Sequence, residues 1–166
     1  MAVNKLDIGS KANYPAGELS NFAAHEFELD GVKCSSMESF LQALKFDKPH
    51  LQAEVCKLNG IKAKQCGNER NNQWKLKQGL WWQEKLYPRK SVEYQRLLDR
   101  AFLVLTNASE KYRQALLATG DLILTHNIGK NNESETVLTQ VELCSRLMKL
   151  RKLLRNNVDL NKEKKI

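Results

Sequence analysis

Apolar residues recur at helical intervals along most of this 166-residue chain. In residues 35–46 they fall at positions i, i+3, i+4 and i+7, which predicts a helix with one apolar face. The same spacing predicts further helices over residues 49–58, 61–66, 74–82, 91–105, 109–119 and 139–154. Ser91, Ser109 and Thr139 stand where a side chain can cap the first turn, so they are the predicted N-termini of the last three helices.

Two other parts of the chain have the pattern of β-strands. Residues 27–29 and 32–34 flank the pair Asp30-Gly31, whose two positions tolerate positive φ, so a β-hairpin is predicted here. Residues 122–125 form a short apolar run that predicts a buried strand, and residues 126–136 have the composition of a polar loop. The expected fold class is therefore mainly α with a small β component (α+β).

The domain organisation predicted from the sequence is simple. No internal repeat and no linker rich in Pro, Gly or Ser interrupts the chain, so residues 1–154 are expected to form a single compact domain. The net charge is +8, and the residues from 149 onward contribute +5 of it. Residues 155–166 are thus a basic C-terminal tail, either a solubilising terminus or a segment that attracts polyanions such as DNA without reading their sequence.

Composition excludes several classes of protein. Hydrophobic residues make up 42% of the chain, so global disorder is not expected. The apolar runs are too short to span a bilayer, and the first residues lack the apolar core of a signal peptide, so a cytoplasmic protein without membrane contact is expected. The four cysteines form no C-x-x-C pair, which gives no sign of a metal site or a redox motif, and no cofactor is predicted.

The first candidate site lies on the predicted helix over residues 35–46. Glu38, Gln42 and Lys45 fall at i, i+4 and i+7, about a quarter turn from the centre of the apolar face. A carboxylate and an amine at the edge of a buried surface can act as a general acid/base and a nucleophile. The alternative is structural: Ser35 and Glu38 have the spacing of a capping box, and Lys45 could be a solvated lysine near a helix end.

A second candidate site lies in the segment 119–132, which brings charged and amide side chains around two glycines. Backbone N–H groups at Gly129, with Lys130 and Asn131, could bind a phosphate, although the spacing of a P-loop is absent. Asp121 and His126 are the titratable candidates in this segment. The structural alternatives are a turn aspartate after a helix end and a hydrogen-bonded histidine.

The third group of candidates consists of aromatic side chains and the polar residues that precede one of them. Ser20 and Asn21 precede Phe22, and a pocket for a planar base needs a stacking ring and hydrogen bonds of this kind, although the same residues also suit a plain turn. Trp81 and Trp82 are adjacent and cannot face the same way on a helix. One of the two is therefore expected in the core and the other at a surface or cleft.

Six short segments occur in a recognisable order, namely residues 19–22, 30–32, 36–45, 63–67, 116–121 and 147–151. Together they resemble the YbiA-like NADAR family over roughly residues 10 to 154. Many members of that family carry a Trp-Gly pair in the loop after the Gly-Asp of residues 120–121. This chain instead has His126, Gly129, Lys130 and Asn131 there and looks like a separate branch.

The resemblance implies a YbiA-like domain and an N-glycosidase that hydrolyses a ribosyl C1–N bond. The implied substrates are an ADP-ribosyl group on a guanine base of DNA or a related ribosyl nucleotide, and the implied catalytic residues are Glu38 and Lys45. Substrate contacts are expected from Ser20, Asn21, Phe22, Gln42, Gly67, Trp81, Asp121, His126, Gly129, Lys130 and Asn131. The alternatives are a non-catalytic binder of ADP-ribose or NAD, and a small basic nucleic-acid-binding protein.

Overall fold

The computed structural model describes residues 4–156, and within them the chain is mainly helical. The helices are α1 (Met37–Ala43), α2 (Pro49–Lys57), α3 (Gly60–Asn68), α4 (Asn71–Lys77), α5 (Val92–Ala108), α6 (Glu110–Ala118) and α7 (Gln140–Arg155). No helix of this described part has both the length and the apolar surface that crossing a membrane requires. Of the predicted basic tail, only residues 155–156 belong to the described residues, and residues 157–166 lie outside them.

Six short strands pair into three two-stranded sheets. The strands are β1 (Lys5–Asp7), β2 (Phe27–Leu29), β3 (Val32–Cys34), β4 (Gly79–Trp82), β5 (Lys85–Pro88) and β6 (Ile123–Thr125). The β2–β3 hairpin turns through Asp30 at φ 50° and Gly31 at φ 82°, so the predicted hairpin is confirmed. β1 and β6 pair in parallel, with Leu6 opposite Leu124, and this pairing joins the start of the described chain to a segment more than a hundred residues later. The fold is α+β, as expected.

The predicted helix over residues 74–82 is wrong in its second half. The helix α4 ends where Gln78 adopts φ 52°, and the chain continues as β4. Strand alternation buries Leu80 and Trp82, whereas Trp81 faces the other way under the amine of Lys77. A short apolar run fits either element, and here the hairpin with β5 decides in favour of the strand.

The capping box of Ser35 and Glu38, which was the structural alternative for the first helix, is not formed. The N-cap of α1 is Ser36, whose hydroxyl accepts a hydrogen bond from the backbone N–H of Ser39 at 3.1 Å. The Ser35 hydroxyl donates instead to the carbonyl of Lys57, and the Glu38 side chain does not take part in the cap. The other three predicted caps, at Ser91, Ser109 and Thr139, are confirmed.

The helix α1 lies at the centre of the molecule, packed against α2, α3, α5 and β3. All seven of its residues are buried, including the polar ones. Its C-terminus is held by β4, because the Trp81 backbone N–H donates to the Leu44 carbonyl at 2.8 Å. A polar side chain on this helix is therefore enclosed by protein on most sides, which changes its chemistry more than the sequence alone implies.

A buried ion pair fixes the segment that precedes α7. Arg89 is fully buried, and its guanidinium makes two hydrogen bonds to the Glu142 carboxylate, at 2.6 and 3.1 Å. It also donates to the Thr136 carbonyl at 2.9 Å. Glu142 accepts in addition from the backbone N–H of Thr139 and from Gln95. Burial alone would raise the pKa of Glu142, but the hydrogen bonds from Arg89, Gln95 and Thr139 together lower it.

Candidate functional site

A pocket of about 310 Å³ opens where α1, α3, α4 and the loop before α7 meet. Its volume lies at the lower end of the range of small-molecule sites, roughly 300–1,000 Å³. The pocket is lined by nine of the residues that the sequence singled out, namely Ser20, Asn21, Phe22, Glu38, Gln42, Lys45, His126, Gly129 and Lys130. Residues from three separate parts of the sequence thus meet at one cavity.

Four other candidates do not line this pocket. Asp121 has a side chain that is 97% exposed and forms an ion pair with Arg155 at 2.8 Å. Trp81 lies on β4 with its ring beneath Lys77, and Asn131 follows Lys130 without reaching the pocket wall. Gly67 lies behind the wall, where it packs against the Gln42 side chain. The expected direct substrate contacts from these four residues are therefore not supported by their positions.

Glu38 is the buried acid of the pocket, with 8% of its surface exposed. One carboxylate oxygen accepts a hydrogen bond from the Gln42 amide at 2.7 Å. Its backbone N–H donates to the Asn21 carbonyl at 2.9 Å, which joins the first turn of α1 to the 20–22 segment. Burial raises the pKa of Glu38, and the Gln42 hydrogen bond and the charges of Lys64, Lys45 and His126 oppose this only in part. Glu38 is therefore protonated more readily than an exposed glutamate.

Lys45 is the buried amine of the same wall, with 7% of its surface exposed. It lies just beyond α1, where its backbone N–H still donates to the Gln42 carbonyl and continues the helical turn. Burial lowers the pKa of Lys45 to about 8, Glu38 opposes the decrease, and the charges of Lys75, Lys64 and Lys130 add to it. Near pH 8, about half of the Lys45 side chains are then neutral amines, the form that attacks an electrophilic carbon.

The loop after β6 supplies the opposite wall. His126 donates from Nδ1 to the Ile8 carbonyl at 2.7 Å, because a carbonyl oxygen can only accept. A neutral His126 therefore keeps Nε2 as an acceptor. Gly129 packs against the His126 ring, since a Cβ at this glycine would come within 2.6 Å of His126 Cδ2. Pairing of β1 with β6 places the Ile8 carbonyl, so the loop geometry depends on the sheet.

The aromatic wall is formed by Phe22. Its ring packs on the start of α3, where a Cβ at Gly60 would come within 2.7 Å of Phe22 Cδ1. The amine of Lys64 lies 5.6 Å from the ring centroid, within reach of a cation–π interaction. The Ser20 hydroxyl accepts from the Phe22 N–H at 3.2 Å and holds the turn. A planar ring beside a buried acid suits a nucleobase.

One wall of the pocket was not predicted from the sequence. Lys64, Asn68, Asn71 and Lys75 line it from α3 and α4 at spacings of four, three and four residues. This is the spacing of one helical face, although a short break separates the two helices. The stripe was visible in the sequence, but polar residues on a helix ordinarily face solvent. Only packing against α1 turns this face toward the pocket.

Substituting Gly67 by Ala tests how closely α3 packs against Gln42, the hydrogen-bond partner of Glu38. The added Cβ would lie 1.8 Å from Gln42 Oε1, which has no hydrogen-bond partner in the described part of the chain. The Gln42 side chain must then move and release Glu38. We expect Gly67→Ala to lower the free energy of unfolding by about 1–3 kcal/mol, measured by urea denaturation.

The matched control for Gly67→Ala is Gly9→Ala, because a Cβ at Gly9 meets no atom within 4 Å. It should leave the free energy of unfolding nearly unchanged. The sign of the Gly67 result is informative in itself, since Ala in a helix is ordinarily more stable than Gly by about 1 kcal/mol. A stabilised Gly67→Ala variant would contradict the close packing against Gln42.

Comparison with known proteins gives three findings. Residues 13–152 match the family described as bacteriophage protein GP30.3. An uncharacterised 17.1 kDa protein of Enterobacteria phage T4, from the Gp30–rIII intergenic region, is 30% identical over 151 residues, which are 90% of this chain and 98% of that protein. The E. coli protein YbiA, solved by NMR, matches 95% of this chain and 88% of its own at 21% identity and a TM-score of 0.64. The expected YbiA-like fold is confirmed, and at this identity the similarity to YbiA shows the fold alone.

Proposed function

The chain belongs to the family of bacteriophage protein GP30.3, and from this premise and the geometry of the pocket we propose that it is an N-glycosidase. Its reaction is hydrolysis of a ribosyl C1–N bond. The preferred substrate is ADP-ribose attached to a guanine base in nucleic acid, and a related ribosylated nucleotide is the second choice. The YbiA-like fold and the resemblance to the NADAR family support this choice of reaction.

One observation carries the proposal. A buried carboxyl group, Glu38, and a buried amine, Lys45, lie on one wall of the same pocket. Burial shifts the pKa of each group toward its neutral form, upward for Glu38 and downward, to about 8, for Lys45, which favours a proton donor and a neutral amine on the same wall. Cleavage of a C1–N bond needs these two forms, because the base must gain a proton and C1 must gain a new bond.

The first step of the proposed mechanism breaks the glycosidic bond. The lone pair of the Lys45 amine attacks C1 of the ribosyl group, and the electrons of the C1–N bond move to the base nitrogen. Glu38 gives its proton to that nitrogen and then, as a carboxylate, takes up a proton from the new ammonium. The hydrogen bond from Gln42 holds the Glu38 carboxylate in place, so Gln42 orients the acid. The products are the free base and a sugar bound to Lys45.

The second step releases the sugar. In ring opening the C1–O bond breaks, Glu38 gives a proton to the ring oxygen, and the N–H of the Lys45 adduct returns a proton to Glu38, which leaves an imine. Water then adds to C1, the C1–N bond to lysine breaks, and the amine is regenerated. Overall, one water molecule is consumed: the base nitrogen gains a hydrogen and C1 gains a hydroxyl group. A route without the covalent step needs only Glu38 as an acid/base and a water molecule as the nucleophile.

The other pocket residues suit the binding of a nucleotide. Phe22 offers a ring face for the base, beside Glu38. Lys64, Lys75 and Lys130 come from three different elements and provide positive charge for phosphate groups. Lys75 also forms an ion pair with Glu135 at 3.3 Å, half-exposed at the rim, so its charge is partly compensated.

Borohydride trapping tests the covalent step. DNA carrying ADP-ribosylated guanine, NAD and a ribosylaminopyrimidine phosphate are incubated separately with the protein, and released base is scored by mass spectrometry. Borohydride reduces an imine to a stable amine, so we expect one sugar adduct during turnover, mapped to Lys45. The Lys45→Arg variant should give no adduct, because its guanidinium stays protonated.

Lys48→Arg is the matched control for trapping, since this lysine is exposed and outside the pocket. It should give the wild-type adduct. Turnover without an adduct on Lys45 would exclude the imine and leave direct hydrolysis assisted by Glu38. Absence of released base from all three substrate classes would contradict the proposed function itself.

A further inference from the structure

The Lys45 amine forms a hydrogen bond with a neutral amide side chain. Its Nζ lies 2.7 Å from Oδ1 of Asn71, at the first turn of α4. Within the described residues, Lys45 forms no ion pair with a carboxylate inside 4.0 Å. A carboxylate would stabilise the charged form of a buried lysine most, whereas the partner of Lys45 is a neutral amide.

The orientation of the Asn71 amide is fixed by its neighbours. The Trp74 indole N–H also donates to Asn71 Oδ1, at 3.3 Å. An indole nitrogen can only donate, and a charged lysine can also only donate. The atom that they face must therefore be the oxygen. The amide NH₂ then donates to Asn68 Oδ1 at 3.3 Å. Because Trp74 is buried in the core, Asn71 is held from both sides.

We propose that Asn71 is a positioning residue, which holds the Lys45 amine at the pocket wall through an acceptor that has neither a charge nor a proton to give. The inference rests on the proposed function, since it concerns the nucleophile of that reaction. A neutral amine that donates one N–H to Asn71 keeps its lone pair free, because an amide oxygen cannot donate to it. A hydroxyl partner could occupy the lone pair, and a carboxylate would keep the amine protonated.

The charges that act on Lys45 come from several elements of the pocket. Glu38 on α1 favours the ammonium, whereas Lys64 on α3, Lys75 on α4 and Lys130 in the loop favour the neutral amine. Asn71 is the direct partner among these groups and is uncharged. Exchanging its amide for a carboxylate adds a negative charge 2.7 Å from the amine with little change in shape.

The test compares three variants in protein labelled with ¹³C-lysine. The chemical shift of the Lys45 Cε carbon is followed against pH, and the signal is assigned with Lys45→Met. Asn71→Asp adds a charge, and Asn71→Leu removes the acceptor at similar size. Asn72→Asp is the matched control, because it makes the same change one residue further along α4, at an exposed position outside the pocket.

The two Asn71 variants should move the Lys45 titration in opposite directions. Asn71→Asp should raise the midpoint by about 1–3 pH units, as an opposite charge in contact does, and Asn71→Leu should lower it, because a hydrogen bond to the charged form is lost. Asn72→Asp should shift it by less than about 0.3 units, since an exposed charge is screened. A midpoint that moves equally in Asn71→Asp and Asn72→Asp would overturn the inference. If Asn71→Asp fails to fold, the inference is tested with Asn71→Leu, and an unchanged Lys45 midpoint in that variant would overturn it.

Activity provides the second measurement. With a substrate that is turned over, Asn71→Asp should lower kcat at pH 7 by about tenfold or more, and the alkaline limb of its kcat profile should move to higher pH. KM should change by less than about threefold, because Asn71 acts through Lys45. A kcat profile with an unmoved alkaline limb would overturn the positioning role. The titration needs no substrate, so a protein that turns over nothing while its Lys45 midpoint shifts would contradict the glycosidase proposal alone.

Discussion

Glu38→Gln should lower kcat by about 10²- to 10⁴-fold, the usual contribution of a positioned general acid or base. The amide has nearly the shape of the carboxyl group, and its oxygen can still accept the hydrogen bond from Gln42. It can neither give a proton to the leaving base nor take one from the Lys45 ammonium. Affinity for ADP-ribose should therefore stay close to that of the wild type, measured by calorimetry beside the rate of base release.

Glu54→Gln is the control for this loss. It makes the same change at an exposed position of α2 and should turn over substrate like the wild type. If Glu38→Gln kept kcat within about threefold of the wild type, Glu38 would not be the acid. A wild-type protein that binds ADP-ribose and releases no base would instead be a binding module.

The pH dependence of the wild type gives an independent check on the same pair. In the proposed mechanism the reacting state carries one proton shared between Glu38 and Lys45, so the pair titrates as a unit. Loss of that proton follows the lowered pKa of Lys45, about 8, and kcat should fall as the pH rises through this value. At low pH both groups are protonated, the amine cannot attack, and kcat falls again. A profile that rose steadily to about pH 10 would contradict this assignment.

Arg89→Met should lower the free energy of unfolding by about 3–5 kcal/mol, because it leaves the Glu142 carboxylate buried without its cation. The Thr136 carbonyl loses its donor at the same time. Urea denaturation at neutral pH measures the loss. Lys90→Met changes the neighbouring, exposed cation and should have little effect.

The double variant Arg89→Met with Glu142→Gln separates the charge from the packing. The amide oxygen introduced at position 142 can still accept from the Thr139 N–H, so the cap of α7 is kept while the unpaired charge is removed. The double variant should be more stable than Arg89→Met alone. Equal stability of the two would show that lost packing on the Tyr94 ring, 5.0 Å from the guanidinium, causes the effect.

The segments that the sequence predicted best are those with a strong local signal. Asp30-Gly31 fixed the β2–β3 turn, and Thr139 with Glu142 fixed the start of α7. Errors arose where the local signal allowed two outcomes. Ser36 caps α1 although Ser35 also has suitable spacing, and Trp81 lies on a strand although its neighbours suit a helix. Contacts outside the segment decided each case: Ser35 donates to the Lys57 carbonyl, and Trp81 lies on a strand that pairs with β5 and donates to the Leu44 carbonyl.

Some residues of the candidate site could also be predicted from local spacing, and others could not. Helical spacing brought Glu38 and Gln42 to one side of α1, where the Gln42 amide nitrogen lies 2.7 Å from the Glu38 carboxylate. The same pattern extended to Lys45, which lies beyond the helix end but within the turn that continues it. Asn71 could not be found in this way, because its contact with Lys45 spans 26 positions and joins the turn after α1 to α4, which no local pattern connects.

The order of side chains along the chain determined most of the helices, the first hairpin and the shared face of Glu38 and Gln42, because spacing on one element depends only on backbone geometry. Tertiary structure alone decided that this face is enclosed, that the α3–α4 stripe turns toward it, and that Asp121 stays in solvent. The physical reason is that burial and the arrangement of charges depend on what packs from outside the element. Those two quantities raise the pKa of Glu38 and lower that of Lys45, which are the shifts that the proposed mechanism uses.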